Sequence, residues 1–117
     1  MKRVVITGQG AVSSLGMSAV ATMEGMREGR CGISELEIKD VERLSVKIGG
    51  QIKGYQCEDF FSRQELVLYD KFTQFALLAA KEAMAHSGLE ITERLMEKSG
   101  VILGTAGGGL HTQDESY

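Results

Sequence analysis

Apolar residues recur at Phe72, Phe75, Ala76, Ala79, Ala80, Ala83 and Met84, the three-and-four spacing that gathers side chains on one face of a helix. Leu77 and Leu78 fill much of the remaining circumference, which leaves Lys71, Gln74, Lys81, Glu82 and His86 as the positions expected to face water. A helix so apolar is predicted to be sandwiched between other elements, with its small alanines letting a backbone come close. Start and stop signals frame it. Ser62-Arg-Gln-Glu65 has the form of a capping box, with Phe61 and Leu66 placed as a hydrophobic staple. Asp70 is suited to cap a second segment, and Gly88 to end it in the left-handed conformation. The pattern predicts a short helix over about residues 63–68 and a long one over about 70–87.

Elsewhere the pattern changes period. Val4 to Thr7 and Val101 to Leu103 are short apolar runs without alternation, as in strands covered on both faces. Ser18 is placed to cap a helix whose apolar face is Val20, Met23 and Met26, with Arg27 near its C-terminus and Gly29 beyond. Residues 32–44 are weakly patterned and read as an irregular or short-stranded excursion. Ser45 to Lys53 alternates Val46, Ile48 and Ile52 with polar residues around a Gly49-Gly50 bend, the signature of a half-exposed edge strand with a bulge. Residues 90–99 read as a polar connection anchored by Ile91 and Leu95, and 110–117 as the first turns of a helix. The order β-α-β-α-β points to a layered α/β architecture with a mainly parallel sheet and a central buried helix.

Composition narrows the function. The 117 residues are 43% hydrophobic, enough for one domain or one part of a larger one. Net charge is -3 with 25% charged residues spread along the chain, so neither a nucleic-acid surface nor a polybasic membrane tag is present. The N-terminal apolar run is too short for a signal peptide or a membrane span, and the expected location is the cytoplasm. Fifteen glycines and no proline mark tight turns between elements.

Few residues carry obvious chemistry. Gly8-Gln-Gly10 follows a predicted strand, yet Ser13 replaces the third glycine of a dinucleotide fingerprint and no acidic residue ends a second strand. Gly104 to Gly109, GTAGGG, lacks the Gly-Lys-Ser/Thr of a phosphate loop. Taken alone it reads as a turn needing glycine. Cys31, Cys57, His86 and His111 have no short chelating spacing, so no metal site is indicated. Glu58 and Asp59 are expected to raise the thiol pKa of Cys57, and Cys31 follows a helix C-terminus whose dipole disfavours a thiolate. Neither reads as a nucleophile.

Six stretches taken together resemble a known family. RVVITGQGAVSSLG at 3–16, EGRCGI at 28–33, KIGGQIKGY at 47–55, CEDFFSRQE at 57–65, YDKFTQFALLAAKEAMAHSGL at 69–89 and SGVILGTAGGGL at 99–110 are similar to the N-terminal portion of a β-ketoacyl-acyl-carrier-protein synthase, closest to the type II fatty-acid condensing enzymes. The resemblance covers essentially the whole chain in register. It implies a thiolase fold of αβαβα layers, of which residues 1–117 form an incomplete N-terminal part, under a third of a typical synthase. It implies decarboxylative Claisen condensation of acyl groups with malonyl-carrier protein, a homodimer, acyl carrier protein as partner, and no cofactor or metal. The family's nucleophilic cysteine and two histidines fall beyond this stretch, so no catalytic residue is expected here.

The resemblance also implies site residues. Ala106, Gly107 and Gly108 fall in the loop that bounds the acyl pocket, with Gly107 where the family commonly has a β-branched residue. Arg63, Gln64, Val67 and Leu68 fall in the region that meets carrier protein, with Gln64, Val67 and Leu68 where basic residues are usual. Ser14 stands where proline is usual. An alternative with the same N-terminal motifs is a catalytically silent subunit, like a chain-length factor, within a ketosynthase heterodimer. A third, a free-standing interaction module, has only small size in its favour.

Overall fold

The computed structural model describes residues 3–109. Its elements in order are α1 (Ala19–Arg27), β1 (Ile33–Glu35), β2 (Ile48–Gly50), α2 (Arg63–Leu68), α3 (Lys71–Ser87) and α4 (Glu93–Met96), with 3-10 turns at Val41–Arg43 and Cys57–Asp59. The helical stretch 110–117 expected from the sequence lies outside the described residues.

The capping signals act as read. Ser18 accepts from the Ala21 amide to start α1, and Asp70 from the Thr73 amide to start α3. In α2 the Ser62 side chain accepts from the Glu65 amide while the Glu65 carboxylate takes the Ser62 amide at 2.9 Å, completing the capping box. Gly88 ends α3 at φ 62°. Thr92 caps α4, a single turn that the polar look of residues 90–99 concealed.

Alpha3 organises the fold through its small face. The segment Gly8–Gly10 lies across it so closely that a Cβ on Gly8 would collide with the Ala83 carbonyl oxygen, and one on Gly10 with that of Ala79. Backbone lies on backbone here, and only residue pairs without bulk allow it. The Gly-x-Gly pattern is thus a close-packing device. Polar groups lock the contact, because a segment laid on a helix leaves amides that need acceptors. Glu82 accepts from the Ala11 amide at 2.9 Å and from the Ala19 amide at 2.9 and 3.0 Å, so one carboxylate ties the loop and the first turn of α1 to α3. His86, one turn on, takes the Gln9 amide on Nδ1 at 3.2 Å.

The other side of α3 carries an aromatic cluster. Tyr55 stacks on Phe60 at 5.7 Å and meets Phe75 edge-on at 5.0 Å, and Phe61 meets Tyr69 edge-on at 6.0 Å, in the geometries the ring quadrupole favours. Lys81 Nζ sits 5.6 Å from the Phe61 ring centroid. Phe61 is only 6% exposed, the one buried apolar side chain among the described residues. Within this cluster Gln74 corrects the sequence reading. Expected to face water, it is 5% exposed, accepting from the Tyr55 hydroxyl at 2.8 Å and donating to the Tyr69 carbonyl at 2.7 Å. Both ends of its amide are satisfied, which is what makes burial of so polar a group tolerable.

Other expectations change as well. In α1 the buried residues are Thr22 and Gly25, whereas Val20, Met23 and Met26 are exposed. Thr22 faces inward because its hydroxyl bonds Ser13 Oγ at 2.8 Å, under a small turn closed by the Ser13–Gly16 pair. The sheet found is β1 against β2, antiparallel, in register Ile33 with Gly50, Ser34 with Gly49 and Glu35 with Ile48. Gly49 and Gly50 therefore continue the strand without a bulge. No parallel pairing occurs among the described residues. Val4 and Val101, each 95% exposed, lie in runs that carry no strand. A strand of that composition exists only by pairing, and no neighbouring strand lies beside either run among the described residues. For the same reason Gln74 is the single buried residue of α3, whose remaining apolar surface stays half-exposed or open rather than enclosed between layers.

The close approach predicts an asymmetric response to adding one carbon. Gly10→Ala is expected to destabilise the protein by about 3 kcal/mol, because the obstructing atoms are helix backbone and cannot yield. Gly100→Ala, with nothing within 4 Å of the new carbon, is expected to leave the melting temperature nearly unchanged. Thermal melts of the two variants check this.

Candidate functional site

Helix α2 presents one open face. Arg63, Gln64, Val67 and Leu68 are all exposed, Val67 at 85% and Leu68 at 77%, while Glu65 and Leu66 are half-buried. The capping box fixes the start of this helix, so the four outward residues are held in a defined array of one cation, one amide and two branched apolar side chains. No described helix is long and apolar enough to cross a membrane.

The second candidate region is the loop Gly104–Gly109, at the N-terminal end of α3. Thr105 folds it on itself, its hydroxyl accepting the amides of Gly107 at 3.3 Å and Gly108 at 2.9 Å. An ideal Cβ on Gly108 would stand 2.7–2.8 Å from three Phe72 ring atoms, and one on Gly109 3.1 Å from Asp70 Oδ2. Gly109 has φ 81°, while Gly107 is outside the set with positive φ. The two last glycines are therefore demanded by local contact and conformation. Ala106 and Gly107 are exposed.

Neither cysteine is part of either region; the Cys57 carbonyl accepts from the Phe61 amide at 3.0 Å, just ahead of the Ser62 cap. The Cys57 thiol is pushed up, first by its hydrogen bond with Glu58, then by desolvation and the Glu58 charge, while Glu58 is held low first by its own backbone amide and then by the bond to Cys57. That agrees with the expectation from its acidic neighbours and makes it a poor thiolate at neutral pH. Tyr55 beside it is raised as well, chiefly by burial. Cys31 is exposed at the mouth of a cavity of about 240 Å³ between the Ser13–Met17 turn and the β1–β2 hairpin, lined also by Ser14, Ser34, Gln51 and Lys53. Lys53 is already occupied by Glu37 Oε1 and the Glu35 carbonyl, both at 2.8 Å. Hollows of about 280 and 260 Å³ flank Gln9, Ala19 and Val20. None of these three cavities is lined by the glycine-rich loop. The structure sets α2 just before α3 and the glycine-rich loop against the start of α3, and neither cysteine is among their residues.

The family model for the N-terminal domain of β-ketoacyl synthases matches residues 1–117. The chain belongs to the β-ketoacyl synthase family. It is 39% identical over 111 residues to 3-oxoacyl-(acyl-carrier-protein) synthase 2 of Staphylococcus aureus strain COL, a stretch that is 95% of this chain and 27% of that protein. It is likewise 39% identical over 116 residues to Nodulation protein E of Rhizobium sp. strain N33, covering 99% of this chain and 29% of that protein. The chain thus spans just over a quarter of the length of these curated relatives. Membership carries the α/β character of a ketosynthase domain.

Sequence reasoning missed structural roles of four residues in this segment. Gln74 and Glu82 looked like solvent positions on a helical wheel, and their partners, the Tyr55 hydroxyl and Tyr69 carbonyl for Gln74 and the Ala11 and Ala19 amides for Glu82, come from other segments. The Asp70–Phe72 seat under the loop was hidden because Asp70 was read for its cap alone and Phe72 for its place on a stripe.

The capping box at the head of α2 has a pH signature. Hydrogen bonds from the Ser62 amide and then its hydroxyl hold the Glu65 carboxyl below its ordinary value of 4.5, with Lys81 adding to the effect. A group whose folded pKa is lowered contributes stability above the unfolded value and loses it as pH falls through the folded one. Glu65→Gln keeps an acceptor in the box but cannot titrate. Its melting temperature is expected to fall less steeply than that of the unmodified protein below about pH 4.5. Parallel acid limbs would contradict the assignment.

Proposed function

We propose that the whole protein containing this chain is a β-ketoacyl-acyl-carrier-protein synthase of fatty-acid or related polyketide synthesis, acting in the cytoplasm as a homodimer. The observation that carries this reading is the family match in register along all 117 residues. In this reaction a cysteine thiolate attacks the acyl thioester on carrier protein, expelling the carrier thiol. Malonyl-carrier protein then loses carbon dioxide, and the resulting enolate carbon attacks the acyl-enzyme carbonyl, freeing the cysteine. An oxyanion hole stabilises the charge built up on that carbonyl oxygen. On this reading the runs at 4–7 and 101–103 join a mainly parallel sheet of a thiolase fold, which encloses α3 as a central helix.

Within this chain the proposal assigns binding roles only. Arg63, Gln64, Val67 and Leu68 form a carrier-protein contact in which one cation and two apolar side chains replace a basic surface. Their common exposure on α2 supports this. Ala106, Gly107 and Gly108 bound the acyl pocket, and the lack of a side chain at Gly107 leaves it wide. Neither Cys31 nor Cys57 is the nucleophile, in keeping with the raised thiol of Cys57. No metal or cofactor enters the proposal.

The apolar outer face of α2 also favours a second reading, a catalytically silent subunit that controls chain length within a ketosynthase heterodimer. One experiment separates the two. The whole protein is given acyl- and malonyl-carrier protein, condensation is followed across acyl lengths, and the acyl thioester is located by mass spectrometry. A condensing enzyme forms product and carries the thioester on neither Cys31 nor Cys57; a silent subunit forms none. In the active enzyme, Gly107→Ile is expected to shift preference to shorter chains, because it fills a volume of three to four methylenes, each worth about 0.8 kcal/mol of substrate burial. An unchanged profile in a folded variant would remove the loop from the pocket.

A further inference from the structure

We propose that Phe72 is a positioning residue for acyl-chain selection: its ring is the seat that fixes how far the Gly104–Gly109 loop stands from α3. This rests on the pocket role proposed above for that loop. The three Phe72 atoms nearest the ideal Cβ of Gly108, Cγ, Cδ2 and Cε2, are equidistant within 2.7–2.8 Å. The Gly108 backbone therefore lies over the ring face. Beside it, Gly109 rests against Asp70 Oδ2, while Asp70 Oδ1 is held by the Thr73 amide at 3.2 Å and hydroxyl at 3.1 Å, so this part of the seat is rigid too.

Nothing else among the described residues holds the loop by hydrogen bonding. Its side-chain bonds run from Gly107 and Gly108 to Thr105, within the loop itself. A wall made of glycine has no side chain to adjust its depth. Its position in space sets that depth, and the position is set by what the backbone rests on. One face of the loop is on Phe72, so a pocket bounded by the loop lies against the other face. Lowering the seat deepens the pocket, and raising the loop makes it shallower.

Two variants of the whole protein then act in opposite directions. Phe72→Leu thins the seat and is expected to raise the ratio of kcat/KM for long over short acyl-carrier proteins, by roughly fourfold for each methylene of depth gained. Gly108→Ala inserts a carbon between loop and ring and is expected to lower the same ratio. The change should reside in KM more than in kcat, since the distal chain is bound alike in ground and transition states. A merely structural role would depress all chain lengths together. Should Gly108→Ala not fold, Thr105→Val, an exposed and near-isosteric change, releases the two loop amides and is expected to flatten the length profile.

Opposite shifts from Phe72→Leu and Gly108→Ala, or the Phe72→Leu shift with a flattened Thr105→Val profile, support the seat. An unchanged ratio in folded, active Phe72→Leu and in its companion variant overturns it while leaving the ketosynthase reading intact. A whole protein that condenses no acyl group of any length overturns both.

Discussion

The tightest constraint in this chain is the meeting of the Gly8–Gly10 backbone with the Ala79 and Ala83 carbonyls of α3. A contact without side chains has no slack, so it fixes the N-terminal segment relative to α3 far more sharply than a layer of leucines would. Glu82 then carries the constraint onward. By accepting from both Ala11 and Ala19, its carboxylate makes the placement of α1 a consequence of where the N-terminal segment lies. The turn at Ser13–Gly16, which Thr22 covers, inherits its place from the same bond set.

The opposite flank of α3 is built on different physics. There Gln74 spans from the Tyr55 hydroxyl to the Tyr69 carbonyl, in the midst of aromatic rings. A buried amide with both ends paired specifies an arrangement more strongly than it stabilises one, because any other packing leaves its polar atoms unsatisfied. It ties the C-terminal end of α2, through Tyr69, to the segment around Tyr55. One helix thus positions both regions to which the proposed function assigns binding roles, the outward face of α2 and the loop seated on Phe72. They are joined by the short stretch Tyr69–Phe72.

Local signals were legible where they are local. The Ser62 box, the Asp70 and Ser18 caps and the Gly88 stop each rest on atoms within a few residues, and each appears as the sequence implies. The acidic surroundings of Cys57 belong to the same class. What failed needed a distant partner. Gln74 and Glu82 have the polarity of surface residues, and their inward placement depends on a hydroxyl, a carbonyl and two amides from other segments. Val20, Met23 and Met26 form a regular apolar stripe, yet α1 packs through Thr22 and Gly25 because a small face fits the Ser13–Gly16 turn. The runs at Val4 and Val101 have the composition of enclosed strands but have no strand partner among the described residues, since composition records what a segment needs and not whether its neighbours are beside it. The glycine-rich loop was recognised through family resemblance, while its seat on Phe72 was visible only in three dimensions.

Amide hydrogen exchange in the whole protein tests the organising role of α3 most directly. The Ala11 and Ala19 amides are expected to exchange slowly, and to speed up together in Glu82→Ala, while the Thr22 amide, bonded within α1 to the Ser18 carbonyl, stays protected. Free exchange at Ala11 and Ala19 in the unmodified protein, or protection there that ignores the loss of Glu82, would contradict the account.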